Sequence, residues 1–384
     1  MAYVAARGGE QAIQEAERLF HQLNGEIDAE FVARIARHMP YLVDRVMGEG
    51  SLYAPELAAL ALAQTGGDLY EAVLLLRGYR STQPRIGYAE PIEAGYTFTV
   101  RRISAAFKDI PGGQVLGPTL DYSHRLLRLD LLDRNPACGM QHAEPNAQFA
   151  TDESDHAPEL PGAGAADSSF IAHPASFPNV ADWQRANGLI APLPQSEPAD
   201  PATLPDVTRE PVSFPAPRPH RLQMLARADT GGVLALGYAS MRGYGMAHPT
   251  VNELRLSYAD VRLRHPVTGA IFNAGRVRIS QCEVASKSAA GPAPITLGFT
   301  ATFGWNEVKT IAGSMLDLEM SSATPRHPAH SEDFVLYHTE AVESSGFCIH
   351  YKLPHYVTFT SALDALRRAI NSDPQSQPAE EVPV

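Results

Sequence analysis

His350 and His355 stand five residues apart in the run Gly-Phe-Cys-Ile-His-Tyr-Lys-Leu-Pro-His-Tyr-Val-Thr-Phe (346–359), which also carries Lys352, Tyr351 and Tyr356. Two imidazoles can ligate a metal ion or bind phosphate; they can equally be one surface and one hydrogen-bonded core histidine. A five-residue spacing suits neither one face of a helix nor one face of a regular strand. Convergence of the two rings therefore requires a bend. Pro354 fixes its own φ and keeps Leu353 extended, which predicts a strand kinked at 354.

Three other stretches hold candidate chemistry. Lys-Asp-Ile-Pro-Gly-Gly-Gln (108–114) reads as a turn between a strand and a helix beginning near Asp121. Backbone N–H groups at Gly112 and Gly113, with Lys108, Arg101 and Arg102 nearby, could cradle a phosphate, or the segment is simply a turn. Arg-Gly-Tyr-Gly-Met-Ala-His-Pro (242–249) is a loop offering the guanidinium of Arg242, the phenol of Tyr244 and the imidazole of His248. His327 and His330 form a further possible metal element, set in a Pro-containing loop (321–331) that suits solvated side chains as well.

The elements that would position these groups divide the chain. Helical periodicity covers 9–25, 29–47 with a break at Pro40, 54–64, and a helix capped by Asp68 that runs to Tyr79. Residues 1–84 thus form a small helical unit, and 85–133 form a strand-turn-helix segment around the Pro-Gly-Gly loop. From 134 to 219 the chain is dense in Pro, Ala, Ser and Asp with little periodicity beyond 181–189, which predicts a long irregular surface excursion. A C-terminal α+β domain spans 220–371, with a helix at 220–227, strands at 233–239, 253–263, 275–283 and 296–303, and a helix capped by Asn306. A last helix spans 362–370, with Ser361 and Asp364 as a capping box, and 372–384 reads as a disordered tail. The fold class expected is α+β, a mixed or antiparallel sheet with flanking helices.

Composition narrows the partners. A net charge of -12 disfavours nucleic acid and anionic membrane surfaces as ligands. The cysteines, Cys138, Cys282 and Cys348, show no Cys-x-x-Cys pairing, so this chain alone offers no iron-sulfur cluster or zinc ribbon. No apolar run spans a bilayer and no secretory leader is visible, which predicts a cytoplasmic protein.

Several blocks together resemble one family, the I subunit (PhnI) of the bacterial carbon-phosphorus lyase core complex. They are 3–9, 43–80, Arg-Arg-Ile-Ser-Ala with Lys-Asp-Ile-Pro-Gly-Gly-Gln (101–114), Leu-Gly-Pro-Thr-Leu-Asp-Tyr-Ser-His-Arg-Leu-Leu (116–127), Arg-Gly-Tyr-Gly with His248-Pro249, and 350–356. The excursion 134–219 has no counterpart in the resemblance. Membership implies a subunit that acts with the G, H and J subunits and the L protein to attach a small phosphonate to the ribose C1′ of ATP as adenine leaves. Alone, it implies a nucleosidase-like activity on purine nucleoside triphosphates. It also implies a Zn2+ ion on His350 and His355, near the J subunit, while the iron-sulfur chemistry belongs to that neighbour.

Displacing adenine needs positive charge stabilised on the ribose, a proton for the base and a held triphosphate. His124, His248, Asp109 and Asp121 are candidates for the acid; Lys108, Gly112, Gly113, Arg242, Tyr244 and Lys352 are candidates for the phosphates. A non-catalytic subunit that organises the complex is the competing reading, and a stand-alone zinc hydrolase is a third.

Overall fold

The computed structural model describes residues 9–93, 96–132, 177–192, 203–244, 249–287, 294–322, 325–349 and 357–372. Five helices come first: α1 (Gly9–Asn24), α2 (Ala29–His38), α3 (Pro40–Gly50), α4 (Pro55–Gln64) and α5 (Leu69–Ser81). Their boundaries follow local chemistry. Asp28 accepts from the Phe31 N–H and Asp68 from the Tyr70 and Glu71 N–H groups, while Pro40 and Pro55 occupy first-turn positions where no donor is missed. Val43, Val46, Met47, Leu62, Val73 and Leu76 bury the faces of α3, α4 and α5 against one another. By contrast α1 buries none of its residues and leaves Ile13, Leu19, Phe20 and Leu23 exposed.

The sheet is a four-stranded antiparallel meander in the order β1 (Thr97–Ile103), β2 (Thr250–Arg264), β3 (Ile271–Lys287) and β4 (Ile295–Phe303). With the helices it makes an α+β fold. Helix α9 (Glu307–Met320) lies across one face, and Leu254, Cys282, Val284 and Met315 close that interface. The approach is tight at Gly298, where a Cβ would lie 2.0 Å from the Ser314 carbonyl oxygen and 2.9 Å from Leu318 Cβ. Gly298→Ala is therefore expected to push α9 off β4 and destabilise the chain by about 1–3 kcal/mol. A chemical-denaturation midpoint unchanged from the parent would refute it.

Several expected elements are otherwise. Residues 230–239 form helix α8 (Thr230–Ala239), not a strand. An unbroken apolar run does not separate strand from helix by periodicity, and Asp229, accepting from the Gly232 N–H at 2.6 Å, caps it as a helix. The helix expected near Asp121 is instead a pair of 3-10 turns at Leu120–Tyr122 and Leu129–Leu132. The 350–355 motif is flanked by helices α11 (Ala341–Ile349) and α12 (Val357–Ser372). Residues 346–349 and 357–359 are thus helical, not strand, and Ser361 sits inside α12, not at its cap. Residues 350–356, and the kink expected at 354, lie outside the described residues.

Within the excursion, the run 181–189 that stood out by its periodicity holds a short helix with buried residues. Helix α6 (Val180–Ala186) buries Val180, Ala181 and Gln184, and Ile190 bridges Ile295 of β4. This piece packs beside the start of β2, where Val180 and Gln184 meet Glu253 and Asn252, and runs along the edge strand β4 at Ile295. Helices α7 (Arg218–Arg227) and α10 (Glu332–His338) complete the C-terminal core with Leu225, Val233, Leu316, Val335 and Leu336. No helix among the described residues is long and apolar enough to cross a membrane.

Candidate functional site

The end of the sheet where β1 finishes and β2 starts collects most of the describable candidates. Beyond Ile103 the chain stays fastened to β2, since the N–H groups of Ala105 and Ala106 both donate to the Val251 carbonyl. The loop that follows is closed by Gln114, whose side chain accepts from the Ser104 N–H and donates to the Phe107 and Lys108 carbonyls. Lys108 and Asp109 project from this loop, both exposed.

A π-helical turn at Ser240–Tyr244 reaches the same end, with Met241 packed against the Leu254–Val284 cluster and Arg242 exposed. Lys287 closes β3 at this end of the sheet, two residues past the Thr250–Ala285 pair. Lys287 is a third exposed cation that motif reading did not single out; a lone lysine at a strand end carries no spacing signal. His248, Lys352, His350 and His355 lie outside the described residues, as does the side chain of Tyr244.

The Pro-Gly-Gly segment is a type II turn: the Gly113 N–H donates to the Ile110 carbonyl at 2.8 Å, Pro111 sits at the first central position, and Gly112 has φ +83°. That φ is open to glycine and strained for other residues, and a Cβ at Gly112 would also lie 2.8 Å from the Phe177 ring. The turn's carbonyls face a protein cation. Arg102 Nη1 donates to Pro111 and Gly113 oxygens, each at 2.7 Å, and Nη2 donates to Pro178 O at 2.9 Å.

Behind the turn lies a buried charge centre. Arg102 is fully buried, and its Nε donates to Glu253 Oε1 at 2.5 Å. Arg255, 3% exposed at its side chain, approaches the same oxygen at 2.7 Å and also donates to the Phe177 and Pro178 carbonyls. Glu253 Oε2 accepts from the Val180 N–H, so one carboxylate binds β1, β2 and the start of α6. Burial lowers the Arg102 guanidinium's affinity for its proton, and Glu253 acts in the opposite direction. Gln184 and Asn252 exchange two side-chain hydrogen bonds at 2.7 and 3.0 Å, and Asn252 donates on to Glu283, whose carboxyl is pushed up by burial. Burial also pushes the Cys282 thiol up to about 12, which keeps it protonated at neutral pH.

Asp121 and His124 belong to a neighbouring surface. Arg101, buried in β1, donates to Glu307 at the start of α9 and to Leu116 O, and its guanidinium lies over the Tyr122 ring at 5.7 Å. Burial pulls its pKa down, but the hydrogen bonds it donates to Tyr122 and Glu307, with the charge of Glu307, outweigh that and raise the group overall. Asp121 accepts from Thr119 and Arg125 and is exposed, as is His124. Around them Leu120, Leu126, Leu127, Leu129, Leu131 and Leu132 are 61–87% exposed.

A family model described as a bacterial phosphonate metabolism protein (PhnI) matches residues 2–373. The chain is 43% identical over 378 residues to a putative C-P lyase subunit protein HtxH of Stutzerimonas stutzeri, covering 96% of this chain and 95% of that one. It is 38% identical over 378 residues to the alpha-D-ribose 1-methylphosphonate 5-triphosphate synthase subunit PhnI of Escherichia coli (strain K12), covering 95% and 98%. The protein of the same name from Rhizobium meliloti (strain 1021) is 37% identical over 379 residues, covering 95% and 94%.

Proposed function

Because the chain belongs to the PhnI family, matched from residue 2 to 373, we propose that it is a subunit of a carbon-phosphorus lyase core complex and takes part in displacing adenine from ATP by a small phosphonate. The observation that carries this is similarity over about 95% of its length to two proteins named as subunits of a ribose 1-methylphosphonate 5-triphosphate synthase. In the proposed reaction the C1′–N9 bond of ATP breaks, the base leaves with a proton, and a phosphonate oxygen forms the new bond to C1′. Acting alone, the chain would use water as the nucleophile.

In this reading Lys108, Lys287 and Arg242 hold the triphosphate, since they are the exposed cations at one end of the sheet. Asp109, on the same loop, and His248, in the segment entering β2, are the candidates for proton transfer to the base; His124 and Asp121 serve the neighbouring surface. Lys352 and Tyr244 would complete the phosphate contacts. A Zn2+ ion on His350 and His355 would supply Lewis acidity or anchor a phosphate or phosphonate oxygen.

The exposed leucines of 120–132 favour a second role for the chain as an organiser of the complex. They are the surface we assign to contact with partner subunits, expected to be the G, H and J subunits, with the L protein joining for turnover, in the cytoplasm.

Free adenine released from ATP by the purified chain, and methylphosphonate transfer by the chain with its partner subunits, test the reading. Lys108→Ala with Arg242→Ala should raise KM for ATP by roughly 10-fold or more and leave adenosine, which lacks phosphates, unaffected. No adenine release alone, and none from the full assembly, would overturn the enzymatic role and leave the organising one.

A further inference from the structure

We propose that Glu319, His327 and His330 form a site for a divalent transition-metal ion, zinc foremost, separate from the residues assigned above to ATP and to the zinc on His350 and His355. Glu319 lies in the last turn of α9, and His327 precedes and His330 ends the 3-10 turn Pro328–His330. That turn is what aligns them. The His330 N–H donates to the His327 carbonyl at 3.0 Å, and in a 3-10 turn side chains three residues apart eclipse. The two rings accordingly lie with centroids 3.7 Å apart and planes tilted by 39°. Ala329 between them is buried in the core formed with Leu316, Met320 and Val335, so the turn is anchored on α9 and α10.

Both rings face one carboxylate oxygen. His330 Nε2 is 2.6 Å and His327 Nε2 3.4 Å from Glu319 Oε2, and a ligand atom from each of the three residues falls within 4.8 Å of the other two. The side chains are 7, 12 and 14% exposed for His327, His330 and Glu319, so water screens the group only in part. Tetrahedral zinc with ligands at roughly 2.0–2.1 Å needs donor atoms about 3.3 Å apart. The His327–Glu319 distance already fits, and the His330–Glu319 contact has to open by less than an ångström. Two imidazoles and a carboxylate are the three-protein-ligand set that leaves a fourth position for water or another oxygen donor.

Metal loading changes one proton position. The Arg326 N–H donates to His330 Nδ1 at 3.0 Å, so the neutral ring carries its proton on Nε2 and shares it with Glu319. Ligation through Nε2 moves that proton to Nδ1 with no net release, and the Arg326 N–H must turn away. The 15N–1H signal of Arg326 is thus a reporter that a His–Glu hydrogen bond alone would not move.

The test uses the full chain carrying His350→Ala and His355→Ala, which removes the other zinc site expected in this family. Titrated with Zn2+ at pH 7.5, this variant should bind one equivalent, shift the Arg326 amide, and give tetrahedral visible bands when Co2+ is used instead. Adding His327→Gln or His330→Gln should weaken Zn2+ binding at least tenfold while far-ultraviolet circular dichroism is retained. Absence of saturable Zn2+ binding in the parent variant, or binding that persists with an unmoved Arg326 amide after both glutamines, would overturn the site. If a glutamine variant fails to fold, the amide shift in the parent variant decides alone.

Discussion

Glu253→Ala should destabilise the protein by about 3–5 kcal/mol, the range for breaking a buried ion pair by removing one partner. The expected cost is high because this carboxylate serves two guanidiniums at once. Arg102 is 0% and Arg255 3% exposed at the side chain, and without Glu253 both positive charges stay buried and face each other. Their carbonyl partners at Pro111, Gly113, Phe177 and Pro178 remain, but carbonyl dipoles do not cancel a net charge of two. Glu253→Gln keeps an acceptor for the Val180 N–H and should cost less. Pairing Glu253→Ala with Arg102→Met should cost less than the sum of the two single variants, because the second change removes one of the orphaned charges. Denaturation midpoints at constant m measure all four variants. A loss under about 1 kcal/mol for Glu253→Ala would show that water reaches this centre.

Lys309→Met is expected to act in the opposite direction, stabilising the chain near neutral pH. Lys309 is completely buried in α9, where three carboxylates, Glu49, Asp229 and Glu340, face the guanidiniums of Arg45, Arg77 and Arg227. The lysine is the fourth cation against three anions. Burial brings its pKa down from 10.5 to about 8. Between those values the unfolded chain binds the extra proton, so Lys309 contributes a rise in stability with pH from about 8 to 10.5. Below pH 8 the full cost of holding the charge applies, about 3 kcal/mol.

Its hydrogen bond is replaceable. The Ala226 carbonyl that accepts from Nζ at 2.7 Å also accepts from Thr302 Oγ1 at 2.7 Å. Methionine fills a similar volume without a charge. The advantage of Lys309→Met over the parent should therefore shrink as pH rises from 8 towards 10. An advantage that stays constant across that range would show that Lys309 titrates normally.

Much of the helical unit was legible because its signals are local. Asp28 and Asp68 cap within three residues, Pro40 divides α2 from α3, and Gly25 at φ +77° follows α1. Strands β2, β3 and β4 were legible from β-branched and aromatic runs. The expected strand at 233–239 became α8 because an apolar stretch looks the same for either buried element, and the cap at Asp229 decides between them only once Gly232 is in place.

Of the chemistry, the Lys108–Gln114 loop and the Arg242 turn were visible as motifs. That each lies towards the Val251 end of the sheet was not, because β1 and β2 pair across a gap of well over a hundred residues. Glu253 and Arg255 gave no signal beyond an unusual charge density within a strand. Their burial depends on α6, which composition placed on the surface.

By itself, the sequence determined the N-terminal helices α1 to α5 to within a few residues, the turn at Pro111–Gly112, and membership of the PhnI family, since each rests on residue identities close together or on many short blocks in order. Tertiary structure alone decided that the Pro-Gly-Gly carbonyls cradle Arg102, that the start of α6 docks on Glu253, and that Glu319 meets His327 and His330. These depend on antiparallel register and on α9 crossing the sheet at Gly298. Contacts between distant segments are set by the cooperative packing of the whole core, and no short window of residues encodes them.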